Sequence, residues 1–282
     1  MPIDHDAILS WYGAVRRDLP WRRTRDPYRI LVSEVMLQQT QVARVVPYYE
    51  AFLDAFPDEV ALGAAPTAEV LRRWSGLGYN RRALALQACA RAVAADGWPP
   101  DAAGLQRLPG IGPYTAAAVA SFAFGEQAAA VDTNVRRVIE RIDGRHRRPR
   151  ELAARAAELL PAGRAADWNQ ALMELGATVC TARAVACDDC PVAACSSRGR
   201  PLPLAPTRRA GGAAAASGVR FEETDRYVRG RVVAVLTAGP LAAAALAAAL
   251  PDGIAAERVD RAVATLARDG LLVRDGELLR LP

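Results

Sequence analysis

Leu108-Pro109-Gly110-Ile111-Gly112-Pro113-Tyr114-Thr115 joins two helical stretches, and its reading decides the fold. The glycines admit positive φ and let the backbone approach a ligand. Pro113 and Thr115 start a helix whose first N–H groups lack intrahelical acceptors and face the loop. Such an end binds a phosphate through main-chain donors. An ordinary αα turn is the plain alternative. The L-P-G-x-G pattern favours a helix–hairpin–helix, which grips a DNA backbone without reading its sequence. A Walker A loop is excluded, because the Gly-Lys-Ser/Thr part is missing.

On either side of the loop, residues 1 to about 200 read as nearly all helix. Apolar residues recur at three- and four-residue spacing in Asp6–Val15, from Asp26-Pro27 through Leu37, and in Tyr48–Phe56, Thr67–Trp74 and Arg81–Asp96. The same spacing continues in Tyr114–Phe124, Asn134–Arg141, Arg150–Leu160 and Asp167–Gly176. Short Pro- or Gly-bearing connections separate them, among them Phe56-Pro57-Asp58 and Trp98-Pro99-Pro100. Strand signals are absent there. From 199 to 218 prolines, glycines and alanines mark a linker. Residues 219–282 read as three helices, Arg226–Leu236, Pro240–Leu250 and Ala255–Arg268. A hairpin over Leu271–Leu281 follows, with Asp275-Gly276 as a type I′ turn. That is the pattern of a winged helix, a unit that contacts DNA or protein partners.

The composition fits a globular chain: of 282 residues, 51% are hydrophobic and 24% charged. No segment is apolar and long enough for a membrane span. The N-terminus has no signal core, so the expected location is cytoplasmic. The net charge is +5, which permits nucleic-acid binding. Every basic residue apart from the two histidines is arginine. With no lysine, lysine-based Schiff-base chemistry is excluded.

Four of the five cysteines lie within 16 residues, as Cys180-x6-Cys187-x2-Cys190-x4-Cys195. Clustering of this kind, in a chain without a signal, reads as metal ligation. Four thiolates suit a [4Fe–4S] cluster or a zinc ion, and only the middle pair has zinc-knuckle spacing, so the cluster is favoured. Cys89, among helical apolar residues, reads as a small buried hydrophobe.

Two acids stand out. Asp132, in Val131-Asp132-Thr133-Asn134, sits at a helix start, where an N-cap is the plain role. Glu34, in Ser33-Glu34-Val35-Met36-Leu37-Gln38-Gln39-Thr40-Gln41, has apolar neighbours. It reads either as a salt-bridged core acid or as a buried proton donor with a raised pKa.

Together these motifs resemble the helix–hairpin–helix DNA glycosylases that carry an iron–sulfur cluster, closest to the adenine-excising branch. The resemblance covers about residues 5 to 198. It rests on Leu19-Pro20-Trp21-Arg22, Ser33–Gln41, Gly76-Leu77-Gly78-Tyr79, the 108–115 loop, Val131–Val135, and Met173–Cys180 with the other cysteines. It implies a mainly α, two-lobed fold. A six-helix barrel would span 26–133, a cluster lobe would combine 1–25 with 134–198, and a winged-helix-like unit would span 219–282. The partner would be duplex DNA holding a mismatch or an oxidised guanine, bound by a monomer with the target base flipped out.

Residue roles follow from the resemblance. Glu34 would protonate the adenine ring and Asp132 would stabilise the oxocarbenium-like sugar, the two-carboxylate logic of glycoside hydrolysis. Asn134 and Tyr114 would orient these groups. Trp21, Arg22, Leu37 and Glu174 would line the base pocket. Gln39 and Tyr79 would probe the stack beside the opposing base. Leu108, Gly110, Ile111, Gly112 and Thr115 would bind the DNA backbone, and Cys180, Cys187, Cys190 and Cys195 the [4Fe–4S] cluster. Lyase relatives carry lysine where Tyr114 stands, so a monofunctional enzyme is expected, leaving an abasic site.

The chain departs from that family in three ways. The last cysteine gap is four residues rather than five, as in a shorter branch. Asn80 replaces a common tyrosine. The usual C-terminal Nudix-like domain that recognises 8-oxoguanine is replaced by 219–282, which is also open to a protein partner. The nearest rival function is a thymine or uracil glycosylase on G·T or G·U mismatches. A redox-responsive iron–sulfur regulator that binds DNA without cutting it is the rival of a different class.

Overall fold

A computed structural model describes residues 3–200, 202–203 and 220–282. Most of the linker expected at 199–218 lies outside them. The described helices are α1 (His5–Val15), α2 (Pro27–Leu37), α3 (Val42–Ala55), α4 (Glu59–Ala64), α5 (Thr67–Trp74), α6 (Arg81–Asp96) and α7 (Ala102–Leu105). They continue as α8 (Pro113–Phe124), α9 (Thr133–Asp143), α10 (Pro149–Glu158), α11 (Ala165–Thr178), α12 (Asp225–Leu236), α13 (Ala243–Ala249) and α14 (Ala256–Arg268). No described helix is long and apolar enough to cross a membrane.

One capping device recurs. Asp4, Asp58, Asp101 and Asp132 each accept a hydrogen bond from the backbone N–H three residues on, starting α1, α4, α7 and α9. Each such cap stabilises its helix by about 1 kcal/mol. Two of these helices, α4 and α7, fall where the sequence reads as connection. At six and four residues they are too short to express a 3.6-residue period. Helix α3 begins at Val42, not Tyr48, because it runs through Pro47.

The chain divides into two compact units: Met1–Glu34 with Trp98–Thr207, and Val35–Gly97 with Arg208–Pro282. In the first, α11 packs against α1, α8 and α9. Its core gathers Ile8, Tyr12, Val135, Ile139, Trp168 and Leu172. His5 stands edge-on to Trp168 at 4.8 Å and bonds Leu159 O, and His146 bonds Glu140, so both histidines have structural partners.

In the second unit α4 packs on α6, and the buried Gln87 bonds Thr67, Leu62 O and Ala65 O between them. Its C-terminal part has the order helix, strand, helix, helix, strand, strand of a winged helix. Strands β1 (Leu241–Ala242), β2 (Val273–Asp275) and β3 (Leu278–Arg280) form an antiparallel sheet in the order β1-β3-β2. Asp275 pairs with Leu278, so the two-residue turn is Gly276-Glu277 rather than Asp275-Gly276. Gly276 alone has positive φ, which fits type II′; the expected type I′ needs it at both central positions. Arg72 Nε donates to Thr237 O at 3.0 Å, joining α5 to the end of α12.

Candidate active site

The first unit brings Glu34, Tyr114, Asp132 and Asn134 into one electrostatic group. Glu34, on α2, is 6% exposed. Tyr114 Oη, from the first turn of α8, donates to Glu34 Oε2 at 2.7 Å. Burial pushes the Glu34 carboxyl up to about 7. The Tyr114 hydrogen bond pulls it down, the Asp132 charge pushes it up, and Arg22 pulls it down. Tyr114 is itself held well above its ordinary pKa, first by burial and then by the two carboxylates.

Asp132 is the N-cap that its place in the sequence predicts. Oδ1 caps α9 by accepting from Val135 N–H at 2.7 Å, while Oδ2 accepts from Asn134 Nδ2 at 2.8 Å. Asn134 Oδ1 in turn accepts from Arg137 Nη2 at 2.7 Å. That same nitrogen reaches Gly176 O at 2.6 Å, and Arg137 Nε reaches Cys180 O at 2.8 Å. Gly176 lets α11 approach α9 this closely, since a Cβ there would lie 2.6 Å from Asn134 Cβ. Upstream, Asn169 braces the strand of chain entering Asp132 by bonding Ala130 N, Ala128 O and Ser121 Oγ.

Glu174 has no exposed side-chain surface, and both its oxygens are taken. Arg17 donates at 2.7 and 3.0 Å, and Arg22 Nη2 at 2.7 Å. Burial alone would raise the carboxyl, but the two guanidiniums outweigh it and hold the pKa low. Glu174 is therefore an anchor for Arg22. Trp21 lies beside Arg22 in a 3-10 turn over Pro20–Arg22 and is buried.

The 108–115 segment forms the hairpin between α7 and α8. Gly110 has φ 74°, and Gly112 caps α8 with Pro113 at its first position. Ile111 and Thr115 are buried and Leu108 is half-buried. A Cβ on Gly112 would meet nothing within 4 Å, so its backbone is open to an approaching group.

Cys180, Cys187, Cys190 and Cys195 are all unbridged and line one cavity, walled in part by Arg141, Val185 and Arg198. Arg141 Nη1 donates to Cys180 Sγ at 3.3 Å. Among the described residues no three His, Cys, Asp or Glu side chains close on a single-ion site. The donor set still fits a cluster: four soft sulfur ligands share one cavity. Cys89 is apart, fully buried, its thiol pushed up by burial to about 12.

The second unit holds Leu37, Gln39 and Tyr79. Leu37 is the last residue of α2 and half-buried. Gln39 and Tyr79, with φ of 57° and 49°, are the only non-glycine residues among the described ones in the left-handed region. Strain of this kind concentrates at functional positions. Both line one groove of about 1040 Å³. Arg82, which the sequence reading did not single out, holds both loops. Its Nη1 donates to Val35 O, Met36 O and Gln38 O at 2.7, 3.1 and 2.6 Å. Its Nη2 reaches Thr40 Oγ1, Leu77 O and Gly78 O. The guanidinium thus takes up carbonyls at the end of α2 that lack intrahelical donors. No sequence period marks such a residue.

Residues 32–162 match the model of the HhH-GPD superfamily base excision DNA repair proteins. The chain is 47% identical over 244 residues to an adenine DNA glycosylase of Mycolicibacterium smegmatis, covering 84% of this chain and 81% of that protein. It is 44% identical over 282 residues to that of Mycobacterium tuberculosis, covering 95% and 89%. Among solved structures, a thermostable thymine-DNA glycosylase superposes with a TM-score of 0.65 at 35% identity, over 69% of this chain and 94% of that one. An endonuclease III trapped on DNA gives 0.61 at 24% identity over 69% and 93%, a likeness of fold alone. Fold and family model define a helix–hairpin–helix protein of the base excision repair superfamily. Within that superfamily, the chain belongs to the adenine DNA glycosylases.

Proposed function

We propose that this chain hydrolyses the N-glycosidic bond of adenine mispaired with 8-oxoguanine or guanine in duplex DNA, leaving an abasic site. The observation that carries the proposal is Glu34: a buried carboxyl with a pKa of about 7, hydrogen-bonded to Tyr114 and facing the charge of Asp132. A carboxyl that holds its proton near neutrality can deliver it to a leaving base. Asp132, fixed by its cap and by Asn134, supplies negative charge to the sugar as the base departs. Tyr114 and Asn134 orient the two acids. Trp21 and Arg22 line the base pocket, with Glu174 positioning Arg22. The 108–115 hairpin takes a phosphate through its backbone. Gln39 and Tyr79 enter the stack beside the opposing base. With no lysine in the sequence and Tyr114 beside Glu34, the enzyme is monofunctional.

Cys180, Cys187, Cys190 and Cys195 would hold a [4Fe–4S] cluster, which would cross-link the 180–195 loop. Arg141 donates a hydrogen bond to Cys180 Sγ, and Arg137 ties the Cys180 carbonyl to Asn134.

The test is single-turnover base release from labelled duplexes carrying A opposite 8-oxoguanine, A opposite G, and T opposite G, developed with alkali. The expected result is adenine release from the first two, lost in Asp132→Asn, with no borohydride-trapped adduct. Release of thymine alone would move the chain to the activity named for the thymine-DNA glycosylase it resembles in fold. No release from any duplex would favour a DNA-binding regulator.

A further inference from the structure

Tyr79 is covered by a residue of the winged unit. Arg226, near the start of α12, lies with Cζ 3.8 Å from the Tyr79 ring centroid, and its Nη1 donates to Tyr79 Oη at 2.6 Å. Phe221 flanks the same guanidinium at 5.8 Å. A guanidinium face-on to a ring at this distance is a cation–π contact, and here it fixes a half-exposed tyrosine in strained backbone. Arg226 is exposed and, among the described residues, has no carboxylate partner, unlike Arg229 one turn on, which pairs with Asp269. A guanidinium carries five N–H donors, and one is used. The groove that Arg226 shares with Gln39 and Tyr79 is lined by six arginines and no Asp or Glu. Such a field attracts a polyanion.

We infer that Arg226 is a specificity-determining residue for the base opposite the excised adenine, supplied by the C-terminal winged unit. It holds the Tyr79 ring and offers its remaining donors to carbonyl oxygens on the opposing purine. 8-Oxoguanine carries one more such oxygen than guanine. This inference rests on the glycosylase reading, since that reading puts Gln39 and Tyr79 at the opposing base.

The experiment measures binding of the full chain to fluorescent duplexes at two salt concentrations. The duplexes carry non-hydrolysable 2′-fluoroadenosine opposite 8-oxoguanine, the same opposite guanine, or are fully matched. Arg226→Ala is expected to weaken binding to the 8-oxoguanine duplex about five- to a hundredfold, the range of one specific base contact. The other two should change far less. Arg226→Lys, which keeps the charge but loses the planar fork, should not restore the preference. Equal weakening on all three duplexes, with the salt slope reduced by about one, would make Arg226 a backbone contact and overturn the assignment. So would no change. Adenine release by the unaltered chain is read separately. Its failure would sink the glycosylase reading, whereas intact release with unselective loss in Arg226→Ala would sink only the role of Arg226.

Discussion

Tyr114 Oη donates a 2.7 Å hydrogen bond to Glu34 Oε2, and the carboxyl it contacts is nonetheless raised to about 7. The bond favours the carboxylate, and burial disfavours it more strongly. The neighbouring Asp132 adds to the burial effect. Glu34 is thus kept half-protonated at neutral pH, while Asp132 has its oxygens engaged by two N–H donors.

A raised acid costs stability once it ionises. The folded-state pKa of Glu34 lies above its ordinary 4.5, so the contribution of its neutral form is complete below pH 4.5 and is lost as pH rises through about 7. Glu34→Gln should therefore slow base release about 100- to 10,000-fold while stabilising the fold at pH 8, by about 3 kcal/mol at most. Denaturant unfolding at pH 5 and pH 8 checks this. A variant less stable than the parent at pH 8 would contradict it.

Gly176 sets the distance between α11 and Asn134. A Cβ there would lie 2.6 Å from Asn134 Cβ and 3.1 Å from its Cα. Gly176→Ala should cost about 1–3 kcal/mol by overpacking and lower single-turnover base release about 10- to 100-fold by shifting Asn134 and Asp132. Gly13→Ala, where a Cβ meets nothing within 4 Å, is the control and should leave both near the parent values. Equal behaviour of the two variants would remove this role from Gly176.

Arg82→Met should release both strained loops. It leaves the carbonyls of Val35, Met36, Gln38, Leu77 and Gly78 without the guanidinium they share. We expect a loss of about 2–4 kcal/mol in unfolding free energy and weaker duplex binding. A thermal midpoint within a degree of the parent would be incompatible with this account.

Iron and acid-labile sulfide in the purified protein should each approach four per chain. Cys190→Ser should lose them, and Cys89→Ala, in its separate buried site, should keep them. Zinc in place of iron, or iron retained by Cys190→Ser, would refute the cluster assignment.

The parts of this molecule that a sequence exposes are those with local chemistry. Asp132 announces a cap, the 108–115 loop announces a hairpin, and the cysteine spacing announces a shared cavity. Helix α6 is legible to the residue because sixteen residues express a full period. Helices α4 and α7 are not, since their identity lies in a single capping aspartate. Arg82, Arg137 and Arg226 escape for another reason. They are three among 36 basic residues, and what distinguishes them is the set of distant carbonyls, the Asn134 amide or the Tyr79 ring they meet. Glu174 gives no sign in the sequence of its part as an anchor, because Arg17 lies 157 positions away.

The pH dependence of single-turnover adenine release from an A·8-oxoguanine duplex tests the central claim, that Glu34 gives its proton to the leaving base. The rate should fall about tenfold per pH unit above about 7. In Glu34→Gln it should drop about 100- to 10,000-fold and lose that limb. A rate that stays level to pH 9, or a Glu34→Gln enzyme within a few-fold of the parent, would show that the proton comes from elsewhere.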